Sequence, residues 1–324
     1  MSSKFYDWSD KNRLPKLSSH SEAKHKVLEM FLKNYFIKIL SKNLRNGIKI
    51  NIIDGFSGGG VYKRAKDGEL CYGSPMIFLE AVKLLEKQMR LASGKNSLID
   101  ARYYFIDKNT SALTMLEKQI KKKGYGKLLG EKIFLLGGEF SEIFPGVAEI
   151  ISNKGGYNLI LLDQCGYKDV PLSSIRRIFR VFGNAEVFLT FHIDTLISYL
   201  ADTQEFRKCV GNFDPTGKVI STKDIKNVSK LKRSKNIFKK SAKWRLTAEM
   251  NMFKKFYKIC GAKYLLPYSI ISQKSNRAYW FLHLSNSAGA KNEMLKIHRK
   301  LHNYCMNYRE LGLKILGFKP TDML

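Results

Sequence analysis

Short runs of β-branched and aromatic residues recur along this chain, spaced so that one amphipathic helix fits between each pair. The runs lie at 48–54, 101–106, 132–136, 157–163 and 185–191. A strand buried on both faces reads as a continuous apolar stretch, and strands separated by helices lie parallel through right-handed crossovers. The rhythm breaks once. AKYLLPYSIIS (262–272) and AYWFLHLS (278–285) are separated only by the polar turn QKSNR, which signals a hairpin. The expected fold is therefore α/β, with a mixed seven-stranded sheet that finishes in an antiparallel pair.

Helix boundaries follow from capping chemistry. Residues 1–18 are polar and aperiodic and read as an N-terminal arm. Ser19 and Glu22 then have the S-x-x-E spacing of a capping box, ahead of Val27, Leu28, Phe31, Leu32, Tyr35, Phe36 and Ile39 at helical intervals. Pro75 suits a first helical position after Ser74, Thr110 or Ser111 opens another helix, and Ser173 or Ser174 a third. A last helix is expected over about 288–310, followed by a tail at 311–324.

Charge adds a second constraint. Lys and Arg number 57 against 28 Asp and Glu, a net charge of +29, and the usual partner for such an excess is a phosphate backbone. Residues 218–245 hold eleven Lys or Arg and one acid, Asp224. A block this basic strands charge if it packs on a sheet, so a surface insertion is expected. Its aromatics are interleaved with cations, as in grooves that track a backbone and stack on unpaired bases. Lys232, Arg233, Lys235, Lys239, Lys240, Lys243, Trp244 and Arg245 are the nucleic-acid-binding candidates. Arg176, Arg177 and Arg180 either extend that patch or form a polar helix face.

No run approaches the roughly 18 apolar residues of a membrane helix, and MSSKFYDWSDKNR lacks the apolar core of a secretory signal. A cytoplasmic location with no membrane partner is expected, with five reduced cysteines too widely spaced for a zinc site or a disulfide framework.

The strongest local signal is INIIDGFSGGGVY, a strand running into Asp54, Gly55, Phe56, Ser57, Gly58, Gly59 and Gly60. Glycines after the first strand of an open sheet let a ligand approach the backbone at the carboxyl ends of the strands. Neither G-x-x-x-x-G-K-[ST] nor G-x-G-x-x-G is matched, which argues against an NTPase and a typical dinucleotide enzyme. The acid ending the strand suits a cationic ligand group. Asp107 ends the next strand, where a carboxylate can accept from ribose hydroxyls, with an extended loop at about 61–73 in between. Glu139 and Phe140 follow the third strand, suited to an exocyclic amine and a purine face. Asp163 ends the fourth, at the centre of the cleft. Each acid alone reads equally well as a turn residue, but four at successive strand ends converge on a nucleoside-type ligand.

The helix SEAKHKVLEMFLKNYF, IIDGFSGGGVY, GSP at 73–75, FIDKN and LLDQCG together resemble the three-Cys-motif partner family, a group similar to class I S-adenosylmethionine-dependent methyltransferases. The resemblance implies a Rossmann-like domain over 19–217 and 246–310, carrying 218–245 as an insertion. It implies S-adenosylmethionine at the glycine bend, with Asp54, Gly55, Gly58 and Gly60 around its amino acid end, Asp107 at the ribose, and Glu139 with Phe140 on the adenine side. It also implies a partner protein that carries the three cysteines. The family tends to show Asp-Pro-aromatic-Gly after the fourth strand, where this chain has Asp163-Gln164-Cys165-Gly166.

Methyl transfer needs in-line positioning and a route for the acceptor's proton, without a metal. Asp163 is the candidate for orienting the acceptor. Cys165 is read as a small buried thiol in preference to a carbon-5 nucleophile, and His20, Lys24 and His25, on or beside the first helix, as solvated or phosphate-binding in preference to facing the cleft. The leading expectation is a methyltransferase acting on RNA or DNA. A non-catalytic module that binds nucleic acid and a partner is the runner-up, and an enzyme using another part of the cofactor the third.

Overall fold

A computed structural model describes residues 6–8, 14–44, 47–94, 99–165, 168–192, 204–214, 217, 220, 251–271 and 278–301. Helix α1 spans Ser19–Asn43, and the first sheet strand is β2, Ile48–Asp54. The strands β5 (Ile99–Asp107), β6 (Ile133–Gly137), β7 (Tyr157–Leu162) and β8 (Ala185–Phe191) follow, each within two residues of its expected bounds. The terminal pair is β9 (Tyr264–Ile271) and β10 (Ala278–Ser285).

These seven strands order as β6-β5-β2-β7-β8-β10-β9. The first five pair in parallel, while β10 runs antiparallel to both β8 and β9. This is a mixed, Rossmann-like sheet. Its topological switch point lies at the carboxyl end of β2, between β5 and β7, where open sheets bind ligands.

Successive strand side chains point to opposite faces, and the burial follows that alternation. Ile50, Ile52, Tyr103, Phe105, Leu159 and Leu161 pack under α1, α2 (Ser74–Ser93) and the closing helix Ala288–Lys300. Ile53, Tyr104, Ile106, Ile160 and Leu162 pack under α4 (Phe140–Ser152), α5 (Leu172–Val181), α6 (Gln204–Phe213) and helical residues 251–260. The remaining helix of this part of the chain, α3, is Thr110–Lys122. Among the described residues, no helix is long and apolar enough to cross a membrane.

Three local expectations give way. The helix cap is Ser18, not Ser19: its hydroxyl accepts from Ser21 N at 3.3 Å, and Glu22 instead pairs with Arg64 at 3.0 Å. The loop at 61–73 is a β-hairpin, β3 (Val61–Arg64) and β4 (Leu70–Tyr72). The expected arm supplies a third strand to it, β1 (Lys16–Leu17), and it seats Trp8 and Leu17 in a small core with Val61, Tyr62, Ala112 and Met115. Too few residues are involved to show a period, but Trp8 and Tyr62 pack edge to face at 5.0 Å, with Tyr6 beside them. Residues 218 and 219, 221–250 and 302–324 lie outside the described part, and with them the eight basic-segment candidates from Lys232 to Arg245.

Candidate functional site

The glycine bend is stitched to the strands on both sides. Gly55 N donates to Leu161 O at 2.9 Å and Ser57 N to Ile106 O at 3.0 Å, while Phe56 N turns back onto Asp54 Oδ1 at 3.2 Å. Gly58 N donates to Asp107 Oδ2 at 2.8 Å, and Asn109 N to Asp107 Oδ1 at 2.8 Å. Asp107 thus braces the bend and retains lone pairs for further donors.

Gly58 and Gly60 take φ of 59° and 73°, values that side chains rarely adopt. The space beyond these glycines differs from the expectation that it is left for a ligand. A Cβ on Gly59 would lie 2.5 Å from the Trp8 ring, one on Gly58 2.6 Å from the Tyr62 hydroxyl, and one on Gly60 2.7 Å from Leu116. Protein side chains fill those three directions. Gly55 is close-packed in the same way, 2.8 Å from the Phe140 ring and 3.0 Å from Leu162.

Phe140 is accordingly a correction. Its ring is 2% exposed and stacks on Phe144 at 4.9 Å, so it is core rather than an open purine platform. As the first residue of α4 it turns inward onto the bend. Glu139, at the cap of that helix, stays exposed and pairs with Lys108 at 3.7 Å.

Three of the four carboxylates do converge, because Asp54 lies within electrostatic reach of both Asp107 and Asp163. Burial is the main cause that lifts Asp54 to about 7, with Ser74 and Phe56 N opposing. Among the described residues its Oδ2 is buried with no hydrogen-bond partner, and so is Ser57 Oγ. An unsatisfied buried carboxylate oxygen costs on the order of 1–3 kcal/mol, and a cationic donor would satisfy it. Burial also lifts Asp107, against the two backbone donors.

Asp163 behaves differently. Burial pushes its carboxyl up, but the Lys24 ammonium, a hydrogen bond from Lys24 and another from Thr190 together hold it below the ordinary range. Lys24 Nζ and Thr190 Oγ1 both donate to Oδ1, the latter at 2.6 Å. Oδ2 is left to accept from elsewhere. The expected solvated α1 side chains are therefore turned inward. Lys24 is buried against Asp163, and His25 Nδ1 is buried without a partner. His20 stacks on Tyr279 at 4.8 Å. Desolvation lowers both histidines to about 4, so they are neutral near pH 7 and poorly suited to phosphate.

The departure at Gln164 has a structural explanation. Gln164 is 1% exposed; its Nε2 donates to Thr190 O at 3.2 Å, and its Oε1 accepts from Asp169 N at 3.0 Å and Val170 N at 3.1 Å. One amide staples the loop after β7 to β8. Cys165, expected to be buried, is exposed; desolvation by the cleft walls and the Asp163 charge raise its thiol above its ordinary value, which disfavours a thiolate nucleophile. Neither Lys24 nor Thr190 showed a local signal for its contact with Asp163, since that partner lies 139 and 27 residues away, and Gln164 stood in a noted stretch whose spacing did not disclose its backbone partners.

No family model and no curated protein matches this sequence. Among solved structures, the chain is similar to a DUF519 family protein of Legionella pneumophila str. Philadelphia 1, at 9% identity and a TM-score of 0.46, covering 89% of this chain and 94% of that one. It is also similar to the methyltransferase domain of bacterial CtHen1-C, at 9% identity and a TM-score of 0.32, covering 79% and 100%. A third is the plantazolicin methyltransferase BpumL, solved with SAH and a desmethylPZN analog, at 10% identity and a TM-score of 0.30, covering 82% and 84%.

Proposed function

We propose that this chain is an S-adenosylmethionine-dependent methyltransferase acting on nucleic acid. The observation that carries the reading is the partnerless Oδ2 of Asp54, buried at the switch point beside a backbone bend and within electrostatic reach of Asp107 and Asp163. A ligand with a cationic head and ribose hydroxyls satisfies that arrangement. Asp54 would hold the ammonium, Ser57 Oγ and the backbone at Phe56 would line the amino acid end, and the free lone pairs of Asp107 would take the ribose. Glu139 would reach the adenine edge, without a stacking contribution from Phe140. When bound, the group supplies an electrophilic methyl on a sulfonium.

The remaining work belongs to the chain's own residues. Asp163 Oδ2 accepts an N–H or O–H from the acceptor and fixes its lone pair in line. Because Lys24 and Thr190 keep this carboxylate ionised, it is a weak base, and its contribution is orientation rather than proton removal. The acceptor's proton passes to water. Nucleic acid as the substrate class follows from the net charge of +29 and the cation-rich segment 218–245. A partner protein bearing a three-cysteine motif belongs to the same proposal through the family resemblance.

Calorimetry with S-adenosylmethionine, on the native chain and on Asp107→Ala, tests the binding step. Labelled methyl transfer to total RNA and to DNA tests catalysis. Micromolar binding that Asp107→Ala weakens at least tenfold is expected, with label entering one of the two polymers. Absence of binding removes the cofactor assignment, and tight binding without any transfer favours the non-catalytic module.

A further inference from the structure

Away from the carboxylate cleft, on the flank of the sheet, α5 and the turn after helical residues 251–260 enclose an open pocket of about 370 Å³. Its walls are Ser173, Arg176, Arg177, Phe179, Arg180 and Gly261. Phe179 and the neighbouring Ile175 and Ile178 are buried in the core, which sets the rotation of α5 and carries Arg176 and Arg180 outward on successive turns. Gly261 holds the opposite wall in a left-handed conformation, φ 88°, with its missing Cβ facing Phe179 and Arg176.

The electrostatics of this pocket are one-sided. Residues 172–181 and 251–263 together contain Arg176, Arg177, Arg180, Lys254, Lys255, Lys258 and Lys263 and not one Asp or Glu. Among the described residues, none of the three arginines has an ion-pair partner, whereas Arg64 elsewhere on the surface has three. Guanidinium groups left without carboxylates around a concave surface match tetrahedral oxyanions, which they bind through paired N–H donors. In the sequence, the second wall follows closely on the basic segment 218–245.

We infer that the pocket is a docking subsite for the phosphodiester backbone of the nucleic acid strand, with Arg176 and Arg180 as its principal ligands and Ser173 as a neutral donor. This rests on the proposed nucleic-acid substrate and adds where the strand outside the cleft is held. A phosphate in this pocket lies along α5, whose first turn follows the loop stapled by Gln164, so the subsite would register the strand against the acceptor position.

The test uses the full-length chain, a fluorescently labelled single-stranded RNA and DNA of mixed sequence, and anisotropy titrations over a salt series. The double variant Arg176→Glu/Arg180→Glu is compared with Lys87→Glu/Arg90→Glu, which makes the same charge change on the exposed face of α2. The arginine pair is expected to lose at least tenfold in affinity and to flatten the log–log salt slope by about 1–2, from roughly 0.7 per lost phosphate contact on single strands. The α2 pair should lose less than threefold. Neither variant should alter S-adenosylmethionine binding, which also reports that the chain has folded. Equal losses in the two variants overturn the subsite and leave only diffuse charge. Binding by the native chain that both variants preserve overturns it too, while the substrate reading stands. No binding by the native chain overturns both. Inorganic phosphate or pyrophosphate that saturates the pocket at micromolar concentration without competing with the strand would reassign it to a free anion and overturn the docking role.

Discussion

Asp54 and Asp163 end neighbouring strands, yet their surroundings push their carboxyls in opposite directions. For Asp54 the folded value, about 7, lies above the unfolded one, so its contribution to stability is complete at low pH and is lost as pH rises toward 7. The loss reaches on the order of 4 kcal/mol at about 1.4 kcal/mol per unit. The stability difference between the native chain and Asp54→Asn should therefore shift against the native chain as pH rises from 4 to 7, the other titrating groups cancelling in the comparison; parallel melting profiles would place the ionisation elsewhere. The same carboxyl must be charged to hold an ammonium. Affinity for S-adenosylmethionine should accordingly rise between pH 6 and 8 in the native chain and stay flat in Asp54→Asn, as read by calorimetry. Asp163 has the reverse sign, with stability present at neutral pH and lost only below the ordinary carboxylate range. Asp163→Asn strips the buried Lys24 of its counter-charge and should cost about 3 kcal/mol in denaturant titrations, together with the methyl transfer itself. The acids at the strand ends were legible because a β-branched run stopping at Asp is a local pattern. Lys24 was not, since its partner lies 139 residues away and a helical Lys reads as solvated in any window.

At the scale of elements, the sheet was readable because its strands are continuous apolar runs and its final hairpin has a short polar turn. The small sheet β1-β3-β4 escaped notice because two to four residues per strand show no period. Phe140 was misassigned for a related reason: an aromatic after a strand looks the same whether its ring faces a ligand or the core, and only the packing of Gly55 decides. The loop after β7 illustrates how one side chain can replace a motif. Gln164→Ala leaves two backbone N–H groups and the Thr190 carbonyl without their partner, a loss of about 2–4 kcal/mol. Amide exchange at Asp169 and Val170 should accelerate at least a hundredfold while β2 and β5 remain protected; unchanged exchange would mean the loop is held by something else.

On the scale of the whole molecule, a strongly positive chain gathers the carboxylates of Asp54, Asp107 and Asp163 at one end of the sheet, and its flank carries arginines that have no ion-pair partner among the described residues. Removing residues 225–240 should weaken nucleic-acid binding and flatten its salt dependence without changing cofactor affinity; an unaltered slope would exclude that segment from the interface. The segment was visible in composition alone, whereas the flank pocket needed two stretches about eighty residues apart to meet. The indole resting on Gly59 has a practical consequence. Trp8 is one of three tryptophans, and Trp280 is sealed inside the core. Near-ultraviolet emission from Trp8 is thus an intrinsic optical gauge of the bend, able to register occupancy without any dye attached, and its quenching in a Trp244→Phe/Trp280→Phe background would time each arrival and departure.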